Sequence, residues 1–537
     1  MPLVAVCLLL QWGLFADHVR RDVAPSYPGY HDQLVSLAVA YEGYERARVE
    51  GVLPALRGVV TSAHPMGLLL PVGGWLAFLV AGPSRLHALA VNFAAYAVLQ
   101  AVVVLVLRRL AGWPAAVLGW GLTWALRSVY HPIGGISDFR ADFAALCLFA
   151  VFLGLALRSG PFESVRWSVA AGVAAAACVW ARFLTIVHIT AILGAFVAVM
   201  FLHARRASDD EANRARVRCR GAALCGLVML LLSAPALWAQ RAGIDDHYVR
   251  GILGPMRVVR AQVVGADRPL GNLLFYPQSL LDHLGPIVTA LAAGLVILLA
   301  IHLLRGGTGS ETSRAFAWLL ALALVVPLVV LTGLTSKSTV VGGIMAGPLL
   351  WAIPLAAAGG SRALASRAAW VTPAGLWSLA VLVALAGAVV QYRAWHRPFR
   401  LDPGEVAGVF ALYDAVDQES RTRRLPNVMV SADHVSDSLN SLAVGVGTYE
   451  RTGRLLPVRS GLGSSIRAVT GDEALEWVRR SDFVILTVSG GRAHYPADRT
   501  LDEVRPDLFA HCRGAMRSLG RFRVPGREVE LFASGVP

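Results

Sequence analysis

Residues 184–202 read LTIVHITAILGAFVAVMFL, residues 203–220 read HARRASDDEANRARVRCR, and residues 221–239 read GAALCGLVMLLLSAPALWA. A membrane-spanning helix needs about 20 apolar residues, and both outer stretches meet that length. The middle stretch carries Arg205, Arg206, Arg214, Arg216, Arg218 and Arg220. Two apolar spans joined by an arginine-rich loop describe a polytopic membrane protein. Basic residues in short loops stay on the cytoplasmic side, so the loop is read as internal.

Further apolar segments lie on both sides of this unit. They cover 2–16, 65–82, 86–107, 112–128, 143–157, 168–181, 285–304, 315–334, 341–358 and 369–391. With 184–202 and 221–239 they predict about 11–12 apolar segments in a mainly α transmembrane bundle over residues 1–397. The chain is 56% hydrophobic and 16% charged, against roughly 25% charged in soluble domains. The missing charge is concentrated before residue 400. Residues 401–537 hold 17 Arg against 18 Asp and Glu, so the formal +14 belongs to the membrane part. No basic soluble module exists, which excludes nucleic acid as a partner. Six cysteines without metal-ligand spacing exclude a disulfide framework or a zinc module.

Residues 398–537 are read as a small soluble α/β domain. An amphipathic stretch at 403–420 precedes the strand-like Asn427–Ser431, and a helix is expected near Asp433. A second helix is expected at 471–480, then strands at 482–488 and 527–532. Gly461-Leu462-Gly463-Ser464-Ser465 reads as a turn rather than a phosphate loop. Alternating strands and helices suggest a small layered sheet.

Counting spans from the internal loop 203–220 places 240–284 outside, 305–314 inside, 335–340 outside, 360–368 inside and the soluble domain outside. Counting backward places 129–142 outside. The side of 17–64 depends on whether 112–128 crosses fully. Its Trp113, Trp120, Trp124 and Arg127 suit an interface, so the sequence leaves both readings open.

Three polar segments can carry chemistry where membrane meets water. In 17–64, Pro25, Pro28 and Gly29 form a turn before Asp32, and Leu34, Leu37, Ala38, Tyr41 and Tyr44 recur at helical spacing. Asp32 heads that helix, either as an N-cap or as a general base. A carboxylate beside a low-dielectric surface has its pKa raised toward working pH. In 129–142, Asp138, Arg140 and Asp142 stand at the start of a span, as an ion-pair network or a phosphate grip. In 241–283, Arg250 accompanies Asp245, Asp246 and His247. That trio offers a weak divalent-cation site or a solvated loop. Arg182, inside an apolar run, and Lys337, the chain's single lysine, either neutralise a phosphate or snorkel. The stretch DQLVSLAVAYEGYER (32–46) also matches DSLNSLAVGVGTYER (437–451) at many positions, which reads as chance amphipathic similarity.

The layout resembles the GT-C glycosyltransferases, membrane enzymes that use polyprenyl-phosphate-linked sugars, such as protein O-mannosyltransferases and aminoarabinose transferases. The resemblance rests on the acidic first loop YPGYHDQLVSLAVAYEGY, its closing element His64-Pro65-Met66, the helix-heading SDFRADF at 137–143 and the terminal soluble domain. The family's acidic pair followed by an aromatic is absent around Asp32, and Met66 stands where a second proline is usual. The resemblance implies Asp32 as catalytic base, with His64, Asp138, Arg140, Asp142, Arg182, Arg250 and Lys337 binding substrate or phosphate. It implies an inverting sugar transfer from a polyprenyl-phosphate donor to an extracytoplasmic glycan, lipid or protein hydroxyl, at the plasma (inner) membrane of a bacterial cell envelope. Membrane lipid is the other expected partner. The one cofactor candidate is a divalent cation. The rivals are a transporter, which predicts mid-membrane charge and internal repeats, and a non-catalytic scaffold with an external partner-binding domain.

Overall fold

Each of the twelve apolar segments contains helix among the described residues. The computed structural model of the chain describes residues 2–535 apart from 30, 63–64, 206–207, 255–260, 262–263, 305–310, 335–336, 366–371, 398–400, 435, 437, 463–468 and 491–498. Among the described residues, eight helices are long and apolar enough to cross a membrane. They are Pro2–Val23, Arg85–Ala111, Ala141–Arg158, Thr185–Ala204, Asp209–Ala239, Ser313–Gly333, Thr339–Ser361 and Ala374–His396. The helix Pro269–Leu304 joins two runs across a kink at Gly285, where φ is +72°. Shorter apolar helices, Leu69–Ala81 and Val165–Ala181, complete the bundle.

The segment 112–128 forms only Trp113–Ala125, 13 residues and so about 20 Å of helix. That is shorter than the roughly 30 Å hydrocarbon core. It turns away from the preceding helix at Gly112, with φ +88°. It then docks closely on Ala374–His396: a Cβ on Gly121 would lie 2.6 Å from the Ala384 Cα. A buried amide cluster fastens this corner. Gln100 donates to Gln11 Oε1 at 2.9 Å and accepts from the indoles of Trp120 and Trp124 at 2.7 and 2.8 Å. Gln391 also donates to Gln11. A polar group in an apolar interior is costly unless hydrogen-bonded, so four helices hold each other in register through these side chains.

After Pro403–Thr422 the chain builds one five-stranded sheet. Its strands are β1 (Val428–Ala432), β2 (Val458–Ser460), β3 (Phe483–Gly490), β4 (Met516–Val524) and β5 (Arg527–Ser534), in the order β2-β1-β3-β5-β4. The first three pair in parallel, and β5 runs antiparallel to both β3 and β4. Helix Gly471–Arg480 starts where Thr470 and Glu473 form a capping box, as the T-x-x-E spelling dictates.

The helix expected near Asp433 begins instead at Ser441, capped by the Asn440 side chain. Asp433 is buried just after β1. Its carboxylate accepts bonds from the Thr487 N–H and hydroxyl, each 3.0 Å, and from Arg505 at 2.7 Å. An Asp drawn into cross-chain bonds is not free to cap. Of the glycine turn at 461–465, only Gly461 and Leu462 fall among the described residues.

The two look-alike stretches form helices His31–Glu50 and Ser441–Thr452, and these pack on each other. The Tyr41 and Tyr449 rings are 4.5 Å apart. Tyr41 donates to Glu450 at 2.9 Å, and Tyr449 donates to Glu45 at 2.6 Å. Arg85, at the start of its span, pairs with Glu450 and also donates to the Val23 carbonyl at 2.8 Å. The soluble domain is thereby seated on the helix that Asp32 heads.

Candidate functional site

Asp32 lies in the first turn of His31–Glu50. Beside it, the Gln33 amide donates to the Gly29 carbonyl and accepts from the Phe139 N–H at 3.4 Å. The first loop is therefore stitched to the second polar segment at the residue next to Asp32.

That second segment is a folded turn. After the 3-10 turn Arg127–Tyr130, Ile136 N–H returns to the Val129 carbonyl at 2.8 Å. Asn92, fully buried, donates to the carbonyls of Asp138 and Ile136 at 2.8 and 3.2 Å. The Asp138 carboxylate accepts the Gly134 N–H at 2.6 Å. Burial pushes the Asp138 carboxyl up to about 7, against the opposing pull of Arg140 and that N–H.

Arg140 joins the two segments. Its Nη2 lies 2.9 Å from Asp32 Oδ2, and its Nε lies 3.7 Å from Asp138 Oδ2. Asp32 keeps 29% of its side chain exposed, whereas Asp138 keeps 2%. One carboxylate can still meet a ligand; the other serves the protein.

Asp142 follows in the first turn of Ala141–Arg158 and pairs with Arg182 at 2.5 Å. Arg182 is presented by the polar break in the apolar run. The helix Val165–Ala181 stops at Arg182, which turns extended at φ −148°. Residues 66–68 then run alongside: Leu68 N–H bonds to the Trp180 carbonyl at 2.8 Å, and Phe183 N–H bonds to the Met66 carbonyl at 2.9 Å. The Asp142–Arg182 pair borders a small pocket with Thr185 and His188. His188 is 1% exposed, and among the described residues neither of its ring nitrogens has a hydrogen-bond partner. Tyr248, from the third polar segment, is close enough to feel the charges of Arg182 and Asp142.

Five of the expected residues, Asp32, Asp138, Arg140, Asp142 and Arg182, thus form one polar seam where the helices begin. Others stand apart. Arg250 is three-quarters exposed and pairs with Asp245 at 3.0 Å. Among the described residues no three His, Cys, Asp or Glu side chains gather as a metal site, so the Asp245-Asp246-His247 trio does not close around a cation. Lys337 donates to the carbonyls of Leu331 and Thr332 at 3.0 and 2.9 Å and lies over the Tyr276 ring. It caps the end of its preceding helix, and burial pushes its ammonium down to about 8. His64 lies outside the described residues.

The sequence reading missed a second feature. A cavity of about 830 Å³ is walled in part by Gln33, Asp138, Arg85, Arg127, Arg393 and Arg397. Each of these arginines sits at the end of a helix, where basic residues are ordinary, so the sequence did not separate them from snorkelling side chains.

No family model and no curated protein matches the sequence. Solved structures do match its shape. ArnT from Cupriavidus metallidurans in the apo state superposes with TM-score 0.57 at 13% identity, covering 98% of this chain and 97% of that one. The same protein bound to undecaprenyl phosphate gives 0.56 at 13% identity, with the same coverage. The archaeal oligosaccharyltransferase AglB from Archaeoglobus fulgidus, in complex with an inhibitory peptide and a dolichol-phosphate, gives 0.54 at 14% identity. It covers 99% of this chain and 75% of its own. Likeness at this identity speaks for architecture, and the chain has the GT-C fold, a membrane helix bundle closed by a small C-terminal sheet domain.

Proposed function

We propose that this chain is a membrane glycosyltransferase that moves a sugar from a polyprenyl-phosphate carrier to a hydroxyl on an extracytoplasmic acceptor, with inversion. The observation that carries the reading is the seam itself. A half-open carboxylate, Asp32, and two guanidiniums, Arg140 and Arg182, meet at the boundary of the apolar bundle. The fold is also one solved elsewhere with undecaprenyl phosphate and with dolichol-phosphate bound.

In this scheme the carrier's chain lies among the apolar helices and its phosphate meets Arg182. As the bond between the anomeric carbon and the phosphate oxygen breaks, negative charge gathers on the departing phosphate. A preorganised guanidinium stabilises that charge more in the transition state than before it. The acceptor oxygen attacks the opposite face of the anomeric carbon, and its proton passes to Asp32. Asp138 holds Arg140, and Arg140 holds Asp32 toward the acceptor. Asp142 does the same for Arg182. The arginine-rich loop 203–220 supports placing the seam and the sheet domain on the outer side.

The test replaces Asp32 with Asn and measures transfer from radiolabelled polyprenyl-phosphate sugars in membranes containing the protein. Transfer should fall by about a hundredfold or more, the ordinary share of a positioned proton acceptor. Unchanged transfer would remove Asp32 from the chemistry.

A further inference from the structure

The 830 Å³ cavity has a charge balance that the proposed transfer has not yet used. Its wall carries Arg85, Arg127, Arg393 and Arg397. Arg85 is neutralised by Glu450. Among the described residues, no ion pair engages Arg127, Arg393 or Arg397. The one carboxyl in the lining is Asp138, whose proton affinity is already raised by burial and which faces Arg140. His18, also in the wall, is engaged by Asp22 at 3.0 Å. Three guanidiniums from two separate elements therefore line one concave space, with no ion-pair partner among the described residues.

Arg393 stands in the last turn of the helix Thr372–His396 and Arg397 just beyond its end; both line the cavity, so their like charges oppose each other there. Arg127 approaches from the 3-10 turn Arg127–Tyr130. An anion between them removes that repulsion. Guanidiniums fork onto phosphate oxygens in pairs. The volume exceeds a bare phosphate and suits a sugar-sized ligand. In the proposed transfer the carrier's own phosphate is met elsewhere, by Arg182, which does not line this cavity. Gln33 and Asp138, which wall the cavity, are respectively the chain neighbour of Asp32 and the second partner of Arg140.

We infer that the cavity is the acceptor subsite and takes an acceptor bearing a phosphate-class oxyanion, gripped by Arg127, Arg393 and Arg397 so that a hydroxyl of the same molecule reaches Asp32. This rests on the transferase reading for the word acceptor, but the anion site itself does not. Asp138 lines the cavity, and burial raises its proton affinity, so it opposes an anion less than an exposed carboxylate would.

The test measures equilibrium binding to the full-length protein in detergent, with no sugar donor present. The probes are glucose 1-phosphate, glucose, and a ten-carbon polyprenyl phosphate. Arg393→Gln with Arg397→Gln should weaken glucose 1-phosphate by about tenfold or more, since each charge-assisted bond carries at least that. The same variant should leave the polyprenyl phosphate within about twofold, a difference smaller than one such bond. Arg182→Gln should do the reverse. Arg127→Gln, on a separate element, should repeat the first result. If the double variant fails to fold, the wild-type protein still decides. Glucose 1-phosphate should bind, salt and inorganic phosphate should compete it away, and glucose should not bind. Equal binding of glucose, or an unchanged glucose 1-phosphate affinity in the arginine variants, overturns the inference. Parallel loss of both phosphates in the cavity variants overturns it too, because the cavity would then belong to the carrier. An inactive-site result with Asp32→Asn bears on the transferase reading and leaves these binding outcomes untouched.

Discussion

A Cβ placed on Gly67 would stand 2.2 Å from the carbonyl oxygen of Ala181, far inside any tolerable contact. The backbones of 66–68 and 180–183 run against each other here, held by the two hydrogen bonds that frame Arg182. Only a glycine allows that approach, and the approach is what carries Arg182 out of its apolar run to meet Asp142.

Gly67→Ala must therefore separate two backbones. Overpacking of this kind costs roughly 1–3 kcal/mol, and the displaced element is the one that presents Arg182. The expected outcome is a lower thermal unfolding midpoint together with a loss of sugar transfer, while Gly13→Ala, where the added Cβ meets nothing within 4 Å, changes neither. Equal midpoints for the two variants would show that the close approach plays no part in stability.

Arg140→Gln removes a charge that bridges the first loop and the turn. Asp32 is partly open to solvent, and Asp138 is not. The stability loss is on the order of 2 kcal/mol, below that for a fully buried pair. Transfer should fall more steeply than stability, because Asp32 loses its orientation. Arg140→Lys keeps the charge but not the fork, so it should recover stability before it recovers turnover. Thermal unfolding and transfer assays on the same membranes separate the two effects.

The spans were legible because length and hydropathy alone mark a membrane helix. Asp32, Asp138, Arg140, Asp142 and Arg182 were legible because charge at the membrane boundary is expensive and has to be explained. Gln11, Gln100 and Gln391 were not. Their partners lie 89 and 380 residues away, and an amide in an apolar run carries no local sign of what it will meet. Strand β4 reads MRSLGRFRV, with arginines on an edge strand whose burial pattern is mostly open, so no period-2 apolar signal marks it. Asp433 after an apolar run spells a helix cap, and its bonds to Thr487 and Arg505 overrule that spelling only once the strands are side by side.

Asp138 makes stability depend on pH with an unusual sign for a carboxyl. Its native pKa of about 7 lies above the unfolded value of 3.8, so the native state holds a proton that the unfolded state has released. Stability then falls as pH rises from about 4 to about 7 on this account. Asp138→Asn removes the contribution and retains an oxygen for the Gly134 N–H. The midpoint of the variant minus that of the wild type should rise with pH across that window and level off above it. A difference that is flat with pH would remove Asp138 as the responsible group.

Arg85 and Glu450 tie the membrane bundle to the soluble domain across 365 positions of sequence. Arg85 keeps 4% of its side chain exposed and Glu450 keeps 17%. Deleting either partner strands a charge in a dry interface, a loss of about 3 kcal/mol or more. Deleting both removes the stranded charge, so the double variant Arg85→Gln with Glu450→Gln should be less damaged than the sum of the singles. A coupling of roughly 1–3 kcal/mol is expected for groups in contact. Unfolding of the four proteins in detergent gives the cycle. The single variants should also expose the stretch after His396 to limited proteolysis, because the hold of Ser441–Thr452 on His31–Glu50 then rests on Tyr41, Tyr449 and the apolar side chains around them. A coupling near zero would mean that the two domains are held by those tyrosines and their apolar surroundings, with the ion pair a bystander.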